Sequence, residues 1–521
     1  MIRALCVVDN VRTWKKRVPQ MEFVSPNDYL FALQYQDIRS VRVINLARNF
    51  DYLGRGYYVS LVAEARGHKV IPSIATLQAL SRKEFWLIET DDLSAQIHKD
   101  LAHLGNDKFE LSVYFGHNVD KRYEKLARMF FNLFPCPSFR VYFTRENGTW
   151  KVSGIRAVGP ATVPEHHQDG FAAAMADYSV HRWGGKPKIA AARYDLAILF
   201  NPKEGLAPSN DAAIQKFIKA SKAVGLDAEV IEKRDYGLLQ QFDALFIRET
   251  TAIDHHTYRF AKKAAKENLV VIDDPKSILY CTNKIFLYEL FKRAGIPRPN
   301  TFVVGEDTVG EITQRFGFPV ILKIPDGSFS RGVVKAETAD QLTAYAQEFF
   351  KRSDYIVAQE FMPTDFDWRV GVFNGKALYA CQYFMTRNHW QIYNHGKEGR
   401  LASGAHKTFA VEEIDQRIIA LALKAAKVIG DGLYGVDIKI YDGKPYVVEV
   451  NDNPNIDVGV EDGILKDALY LRIMEEFLRR IERGKMPKGG LLPLPNGGET
   501  AKSMPSVDHG APKGQAAGQH Q

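Results

Sequence analysis

The stretch at residues 444–457, KPYVVEVNDNPNID, joins an apolar strand to a cluster of polar side chains. The segment YGVDIKI at residues 434–440 is a second strand, and the Asp-Gly pair between the two is a strong hairpin signal. Because side chains alternate along a strand, Glu449 and Asn451 share one face, and Asp437 can face the same way. We therefore expect two carboxylates and an amide oxygen to converge on one face of a hairpin.

Oxygen ligands of this kind suit Mg²⁺ or Mn²⁺, whose remaining coordination positions waters and phosphate oxygens fill. The same stretch is also typical of a solvated sheet face followed by an ordinary turn at Asn453 and Pro454. The apolar Val447, Val448 and Val450 indicate a central strand, where three unpaired polar groups are costly to bury. The residues alone leave a metal site and a polar sheet face as alternatives.

The composition is that of an ordinary globular protein with several domains. At 521 residues the chain is too long for one compact core, and two or three domains are expected. Apolar residues make up 45% and charged residues 25% of the chain, which excludes a disordered or fibrous class. The net charge of +7 is mild and basic residues form no long block, so we expect no nucleic-acid partner.

The cysteines and the apolar runs bear on the compartment. The four cysteines lie far apart and form no CxxC pair: Cys6, Cys136, Cys281 and Cys381. This spacing argues against a zinc site or a disulfide framework and fits a reducing compartment. The first apolar run is too short for a signal peptide, and none approaches the roughly 20 residues that span a bilayer. We therefore expect a cytoplasmic protein without a membrane segment.

The pattern of strands and helices divides the chain into four segments. Residues 1–188 are predicted to form an α+β domain with a late hairpin, and they carry no motif of known chemistry. Residues 189–282 alternate strand and helix, which predicts a small parallel α/β domain. Residues 283–484 predict an antiparallel sheet with helices on one side, the last of them at 463–483. Residues 485–521 are rich in Gly and Pro and predict a disordered tail.

The stretch VILKIPDGSFSRGVVKAE at residues 320–337 resembles a phosphate-binding connection between two strands. Lys323 ends a buried strand, and backbone N–H groups in the polar loop after it can cradle phosphate oxygens while the lysine neutralises their charge. A hairpin connection with a lysine that reaches solvent is the alternative, and the loop does not match the pattern GxxxxGK[ST]. The candidate loop residues are Asp326, Gly327, Ser328, Ser330, Arg331 and Gly332.

Two further segments carry candidate binding residues. The segment IVAQEFM at residues 356–362 can hold a purine between apolar side chains while backbone groups read the base edge. A plain core strand is the alternative for this segment. Asp367, Arg369 and Arg387 then add a carboxylate and two cations. Arginine binds phosphate or carboxylate through two parallel hydrogen bonds, although each residue taken singly is more often in a surface salt bridge.

Taken in order along the chain, these features resemble one family. A helix opening with Lys284, a strand lysine, a glycine-bounded loop, a Gln-Glu strand end, Asp-x-Arg, a second arginine, an aspartate and Glu-x-Asn look like the ATP-grasp superfamily. The stretches VVEVNDNPNI and AGIPRPNT are most similar to its RimK-like branch of amino-acid ligases. The resemblance covers about residues 193–482 and implies a pre-ATP-grasp α/β domain before an ATP-grasp domain of two α+β subdomains. Residues 1–188 resemble the N-terminal domain found ahead of some RimK-like proteins.

The resemblance implies a role for each matching residue. Lys284 and Lys323 would contact the phosphates of ATP, and the loop at residues 326–332 would close over them. Arg369 and Arg387 would face the γ-phosphate and the acyl substrate. The adenine and the rest of the nucleotide would be held by Gln359, Glu360, Phe361, Met362 and Asp367. Two divalent ions, Mg²⁺ or Mn²⁺, would be bound by Asp437, Glu449 and Asn451.

The resemblance also implies a reaction. An amino acid, with glutamate as a candidate, would be joined through an acylphosphate to the amine of a peptide, a protein or a small molecule. An ATP-grasp kinase and a non-catalytic nucleotide-binding regulatory protein are the alternatives. The loop at residues 388–406 departs from the RimK pattern, so the resemblance names neither substrate. We expect no nucleic acid and no membrane as a partner, and a homo-oligomer stays open.

Overall fold

The computed structural model describes residues 4–36, 38, 41–91, 93–183, 192–326, 332–386, 390, 393–395, 401–403 and 405–485. Within this part the chain forms α/β and α+β units built on separate sheets, which confirms the predicted fold class. We call them the N-terminal unit (residues 4–183), the middle unit (192–282) and the C-terminal unit (283–485).

The N-terminal unit combines a parallel and an antiparallel sheet. Its elements are β1 (Ala4–Val8), α1 (Val11–Arg17), β2 (Glu22–Val24), α2 (Pro26–Phe31), β3 (Arg42–Leu46), α3 (Arg55–Ala65), β4 (Lys69–Ile71), α4 (Ile74–Ser81), α5 (Lys83–Asp91), α6 (Ser94–Leu101), β5 (Lys108–Tyr114), α7 (Glu124–Leu133), β6 (Ser138–Glu146), β7 (Thr149–Ala157) and α8 (Gln168–Trp183).

The parallel sheet has the order β2-β1-β3-β4, and the antiparallel sheet has the order β5-β6-β7. The predicted late hairpin is β6 and β7, whose turn places Asn147 and Gly148 in the left-handed region, at φ 50° and 78°. Trp14 from α1 packs edge-on against Phe171 from α8, with ring centroids 5.3 Å apart. Both rings belong to one apolar core that the two sheets share.

The middle unit is a small parallel α/β layer, as the alternation of strand and helix predicted. It comprises β8 (Tyr194–Leu199), α9 (Asp211–Ala223), β9 (Leu226–Ile231), β10 (Ala244–Ile247), α10 (His256–Lys266), β11 (Val270–Ile272) and α11 (Pro275–Thr282). The strand order is β11-β10-β8-β9, and all neighbours run parallel. Asn210 caps α9 by accepting a hydrogen bond from the N–H of Ala213, and Asp274 caps α11 in the same way.

The C-terminal unit is the largest of the three. It contains α12 (Lys284–Arg293), β12 (Thr301–Gly305), α13 (Ile312–Arg315), β13 (Val320–Lys323), β14 (Val333–Ala336), α14 (Ala339–Phe350), β15 (Tyr355–Glu360), β16 (Phe366–Phe373), β17 (Lys376–Phe384), β18 (Tyr393–His395), β19 (Leu401–Ser403), β20 (His406–Phe409), α15 (Gln416–Lys427), β21 (Leu433–Tyr441), β22 (Lys444–Asp452) and α16 (Asp467–Lys485).

Two antiparallel sheets organise the C-terminal unit, where the turn pattern had predicted one. Their orders are β12-β15-β13-β14 and β20-β17-β16-β21-β22, and β18 pairs with β19. The last helix, α16, begins at Asp467 rather than at residue 463. Glu461 and Asp462 accept hydrogen bonds from the backbone N–H groups of Asp457 and Gly459, both at 2.7 Å, and so hold the preceding loop in turns.

The middle and C-terminal units share one apolar core. Helix α16 packs along α9, and Tyr470 contacts Phe217 with ring centroids 4.8 Å apart. Phe477 from α16 reaches Phe246 on the central strand β10, at 5.2 Å. Lys216 on α9 adds an ion pair to the buried carboxylate of Asp462, at 2.8 Å. This shared core holds the ends of β8 and β10 in a fixed position beside the sheets of the C-terminal unit.

Ion pairs join the N-terminal unit to the middle unit. Arg42 at the start of β3 bonds Asp195 at the start of β8, at 2.5 Å. Lys69 at the start of β4 lies 3.4 Å from Asp243, which precedes β10. The amino ends of the strands in the two parallel sheets therefore face each other. The carboxyl ends of β8 and β10, where parallel sheets bind ligands, point away from the N-terminal unit.

Two further features concern the described residues as a whole. No helix among them has both the length and the apolar character needed to cross a membrane. The thiols of Cys6, Cys136, Cys281 and Cys381 are buried and free of disulfide bonds. Burial raises the pKa of the Cys136 thiol to about 12, so this thiol is protonated at neutral pH.

The buried amine of Lys263 lies at the interface between the middle unit and the N-terminal unit, and it makes the stability of the protein depend on pH. Its Nζ donates a hydrogen bond to the carbonyl oxygen of Asn132 in the N-terminal unit, at 2.8 Å, and burial lowers its pKa to about 8. The unfolded state therefore binds more protons between pH 8 and the ordinary lysine pKa, and stability rises with pH through that window. We expect the wild type to gain about 2–3 kcal/mol relative to Lys263→Met between pH 7 and pH 10, measured by urea unfolding. The exposed Lys222→Met variant is the control, and parallel pH profiles for wild type and Lys263→Met would contradict this account.

Candidate active site

A cavity of about 270 Å³ opens where the two sheets of the C-terminal unit meet the loops of the middle unit. The structure brings twelve residues singled out in the sequence to its wall: Lys284, Lys323, Asp326, Gln359, Glu360, Phe361, Met362, Asp367, Arg369, Asp437, Glu449 and Asn451. Gly332 is not among the lining residues, and its carbonyl oxygen accepts a hydrogen bond from the N–H of Ile324, at 2.8 Å. Gly327, Ser328, Ser330, Arg331 and Arg387 lie outside the described residues.

The β21–β22 hairpin sets the positions of the polar cluster. In its register Asp437 is directly opposite Glu449, and Gly435 is opposite Asn451, so the three polar side chains share a face as the alternation predicted. A β-bulge follows Asp437 and inserts one extra residue into β22. That residue, Val448, lines the cavity instead of joining the core, which corrects its grouping with Val447 and Val450.

Side-chain cations balance the carboxylates of this cluster. The guanidinium of Arg369 binds both oxygens of Asp437, with Nε and Nη2 each at 2.7 Å. The Nζ of Lys284 lies 3.2 Å from Oε1 of Glu449. Asn451 donates its Nδ2 hydrogen to Oδ2 of Asp437, at 3.1 Å. The repulsion between the two carboxylates is thus relieved by the protein's own charges, because α12 and β16 bring cations to the same face.

Burial and charge shift the pKa values of this cluster in opposite directions. Burial raises the pKa of Asp437, and the adjacent Arg369 opposes that rise. Burial acts in the same sense on Glu449, but Lys284 and Lys323 outweigh it and hold its pKa below the ordinary value. Burial lowers the pKa of Lys323 to about 8. The cavity therefore keeps Glu449 ionised and holds Lys323 as a cation that is poorly compensated by solvent.

The donor atoms fit a hard divalent cation whose coordination shell is completed by a ligand. Asp437, Glu449 and Asn451 offer carboxylate and amide oxygens, the donors that Mg²⁺ and Mn²⁺ prefer. Nowhere in the described ranges do three His, Cys, Asp or Glu side chains gather as a closed metal site. Two carboxylates and one amide cannot fill an octahedral shell, so phosphate oxygens and waters would have to supply the other donors.

The opposite end of the cavity is more apolar. Gln359 donates its Nε2 hydrogen to Oγ1 of Thr301 at 3.0 Å, and Glu360 accepts hydrogen bonds from Asn300, at 2.8 and 2.7 Å. These side chains therefore form hydrogen bonds with β12 and with the residue that precedes it. Phe361 and Met362 line this end, and Trp390 meets Phe361 edge-on with ring centroids 6.1 Å apart. Aromatic and apolar walls of this kind suit a flat heterocycle.

Asp367 forms a pair that the sequence analysis missed. Its Oδ1 accepts hydrogen bonds from Lys439, at 2.6 Å, and from the hydroxyl of Thr364, at 3.0 Å. Lys439 lies two residues after Asp437 on β21 and lines the same cavity. Period-two alternation along YGVDIKI was the signal that could have identified it.

The middle unit supplies a wall of the cavity that the sequence analysis also missed. Pro208 follows β8, and Thr250, Thr251 and Ala252 follow β10, and all four residues line the cavity. Ligands of parallel sheets bind beyond the carboxyl ends of the strands, and this rule was the available signal. Residues 453–455, directly after β22, complete the wall between the two units.

The chain resembles known proteins over both of its larger parts. Residues 26–174 match the RimK-like ATPgrasp N-terminal domain, and residues 281–466 match the RimK-like ATP-grasp domain. Over 260 residues the chain is 30% identical to the alpha-aminoadipate–LysW ligase LysX of Saccharolobus solfataricus, covering 46% of this chain and 88% of that protein. Over 255 residues it is 28% identical to a probable alpha-L-glutamate ligase of Halorhodospira halophila, covering 48% of this chain and 79% of that protein.

Among solved structures, a RimK domain ATP-grasp protein from Sphaerobacter thermophilus superposes with a TM-score of 0.41 at 19% identity, over 54% of this chain and 98% of that one. The N-terminal match and the ATP-grasp match lie in the order that the sequence analysis predicted. The 30% identity to LysX extends over most of the length of LysX. The chain belongs to the RimK-like ATP-grasp family of ATP-dependent ligases that form C–N bonds, and it carries that family's N-terminal domain ahead of the ATP-grasp domain.

Proposed function

We propose that this ligase uses ATP to activate the carboxylate of an amino acid and joins it to the amine of a peptide, a protein or a small molecule. The observation that carries the proposal is the composition of the single cavity described above. Lys284, Lys323 and Arg369 stand there beside the oxygen donors Asp437 and Glu449. Such an arrangement serves a reaction in which an anionic nucleophile approaches a polyanionic phosphate.

The proposed reaction has two steps. An oxygen of the substrate carboxylate attacks the γ-phosphorus, the bond to ADP breaks, and an acylphosphate forms. The neutral amine then attacks the acyl carbon, phosphate leaves, and the amine loses a proton to solvent or a base. No covalent link to the protein is required. Cys281 lines the cavity, but burial raises the pKa of its thiol well above the ordinary value, so this thiol is a poor nucleophile at neutral pH.

The residues of the cavity divide between the parts of ATP. Lys284 and Lys323 would neutralise phosphate charge, and Phe361 and Met362 would enclose the adenine. Asp437, Glu449 and Asn451 would hold Mg²⁺ or Mn²⁺, which when bound supplies positive charge against the phosphates. We propose two ions. Arg369, which is fixed by both oxygens of Asp437, would face the γ-phosphate and the acyl group.

The substrates are proposed from the chemistry named for the relatives. The name of LysX states alpha-aminoadipate, and that of the Halorhodospira protein states alpha-L-glutamate. Both are amino acids with a second carboxylate, so we propose an acidic amino acid as one substrate, with glutamate tested first. The relative's name also states LysW as the other partner, which supports a peptide or protein amine among the acceptors to be tested.

We also propose domain boundaries near residues 188, 282 and 484, with residues 485–521 as a tail. The change of sheet at each boundary supports the first two positions. Because α16 packs on α9, the core of the middle unit depends on the C-terminal unit. A fragment cut at residue 282 is therefore expected to lose much of its core.

Turnover with hydroxylamine tests the ligase proposal. We expect the enzyme with ATP, Mg²⁺ and one amino acid of a panel to form ADP and the hydroxamate of that amino acid, because an acylphosphate is trapped by this amine. Mass spectrometry of the products identifies the donor. A phosphorylated product without a hydroxamate would indicate a kinase, and no turnover with any donor or acceptor would favour the regulatory alternative.

The metal assignment is tested on the β21–β22 hairpin. We expect Glu449→Gln combined with Asn451→Ala to lower ATP turnover in limiting Mg²⁺ by about 10²-fold or more, because oxygen donors to the phosphate-bound cation are lost. Asp442→Asn, in the exposed turn of the same hairpin, is the matched control and should retain turnover. Wild-type turnover by the double variant would show that the ligands are wrongly assigned.

The role of Lys323 is tested by nucleotide binding. Lys323→Met keeps most of the unbranched side chain and removes the charge, and we expect it to weaken ATP binding about 10- to 100-fold through the loss of a charge-assisted hydrogen bond. Calorimetric titration measures the dissociation constant, and circular dichroism checks the fold. The exposed Lys376→Met on β17 is the control. Equal affinity in the Lys323 variant and the control would remove Lys323 from the phosphate site.

A further inference from the structure

Arg248 is a fully buried arginine. It lies next to the cavity but is not one of the residues that line it. It follows β10, its residue surface is 0% exposed, and burial lowers its pKa to about 10, so it is a cation at neutral pH. Its guanidinium donates four hydrogen bonds. Nε binds the hydroxyl of Ser209 (3.0 Å), Nη1 binds Oδ1 of Asn453 (2.7 Å), and Nη2 binds the carbonyl oxygens of Pro208 (2.5 Å) and Pro454 (2.9 Å).

These four acceptors belong to two different units. Pro208 and Ser209 follow β8 in the middle unit, whereas Asn453 and Pro454 follow β22 in the C-terminal unit. The charge of a buried guanidinium is costly unless its donors are satisfied. Because one planar group serves both segments, Arg248 keeps its hydrogen bonds only while the two segments hold this relative position.

Asn453 is clamped from both ends of its amide. Its Oδ1 accepts from Arg248, and its Nδ2 donates to the backbone carbonyl of Glu249, at 2.6 Å. The residue adopts a left-handed backbone at φ 47°, which turns the chain directly after β22. It lies two residues beyond Asn451, so the clamp holds the end of the strand that carries Glu449 and Asn451.

A second set of bonds extends the same junction. The N–H of Ile456 donates to the carbonyl of Pro208, at 2.9 Å, and the hydroxyl of Ser209 donates to the carbonyl of Ile456, also at 2.9 Å. The N–H of Asn210 donates to Oδ1 of Asp457, at 2.6 Å. The segment at residues 453–457 therefore runs along residues 208–210, with Arg248 joining the two.

We propose that Arg248 is a positioning residue for the cation site, acting through Asn453 to fix the carboxyl end of β22. This inference rests on the proposed function of Asp437, Glu449 and Asn451 as cation ligands. Partners that orient metal ligands without touching the metal influence metal affinity strongly. Lysine cannot replace Arg248, because a single ammonium lacks the planar fork that reaches four acceptors on two segments.

Metal binding, measured apart from turnover, tests the inference. The full-length protein is titrated with Mn²⁺ in the presence of a non-hydrolysable ATP analogue, and free Mn²⁺ is followed by electron paramagnetic resonance. We expect Arg248→Lys to weaken Mn²⁺ binding about 10- to 100-fold. Metal-free binding of a fluorescent nucleotide, measured in EDTA, should stay near the wild-type value, which a general loss of structure would not allow.

A second variant and a control keep the result interpretable. Asn453→Gly retains the left-handed backbone but removes the amide clamp, and it should weaken Mn²⁺ binding in the same direction. Arg480→Lys is the control. Arg480 is a largely buried arginine bonded to Glu476 and to the carbonyl of Asp431, far along α16 from the cavity, and its variant should bind Mn²⁺ like the wild type.

The outcomes separate this inference from the proposed function. Wild-type Mn²⁺ affinity in folded Asn453→Gly, whether or not Arg248→Lys folds, would overturn the role of Arg248. Weaker Mn²⁺ binding in folded Asn453→Gly, with Arg480→Lys binding Mn²⁺ like the wild type, supports it. If the wild type yields no hydroxamate with any donor while the variants still bind Mn²⁺ more weakly than the wild type, the ligase proposal is refuted and the positioning role is retained.

Discussion

The balance of buried charge at the β21–β22 hairpin constrains the rest of the cavity. The register places the carboxylates of Asp437 and Glu449 opposite each other on adjacent strands. Carboxylates in such a place are stable only when cations and hydrogen-bond donors meet them. Arg369 comes from β16 and Lys284 from the start of α12, so that two separate elements must reach this hairpin for the charges to be balanced. These two contacts therefore join α12 and β16 to the hairpin.

The middle unit forms part of the same site. Its strands end beside the hairpin, and its loops after β8 and β10 form one wall of the cavity. The apolar contact between α9 and α16 holds these loops in position. The N-terminal unit joins the middle unit at the opposite ends of the strands, through Arg42 and Lys69. Its own sheet therefore turns its carboxyl edge away from the cavity.

The cavity contains charged side chains whose positions are fixed by burial and by ion pairs. Lys323 has a lowered pKa because burial removes water from around its amine. Glu449 stays ionised because Lys284 and Lys323 lie close to its carboxylate. Groups held in this way interact with a polyanionic ligand more strongly than the same groups in water. Cys281 also lines the cavity, but the raised pKa of its buried thiol makes it a poor nucleophile. This distribution of charge supports the electrostatic positioning proposed above rather than covalent catalysis.

The sequence by itself determined the β21–β22 hairpin and its polar face, because both follow from local periodicity and turn residues. Alternation along β21 and β22 predicted that Asp437, Glu449 and Asn451 face the same side, and the turn residues predicted the hairpin. The β-bulge that turns Val448 into the cavity was not predictable from alternation, since it interrupts the period.

Only the tertiary structure decided which charges meet. Arg369 and Asp437 are 68 residues apart, and Arg248 and Asn453 are 205 residues apart. Spacing along the chain carries no signal for pairs at such distances. Their contact depends on how the sheets cross and on the core shared by α9 and α16. The free energy of burying charge then selects the partners, and that selection exists only once the chain is folded.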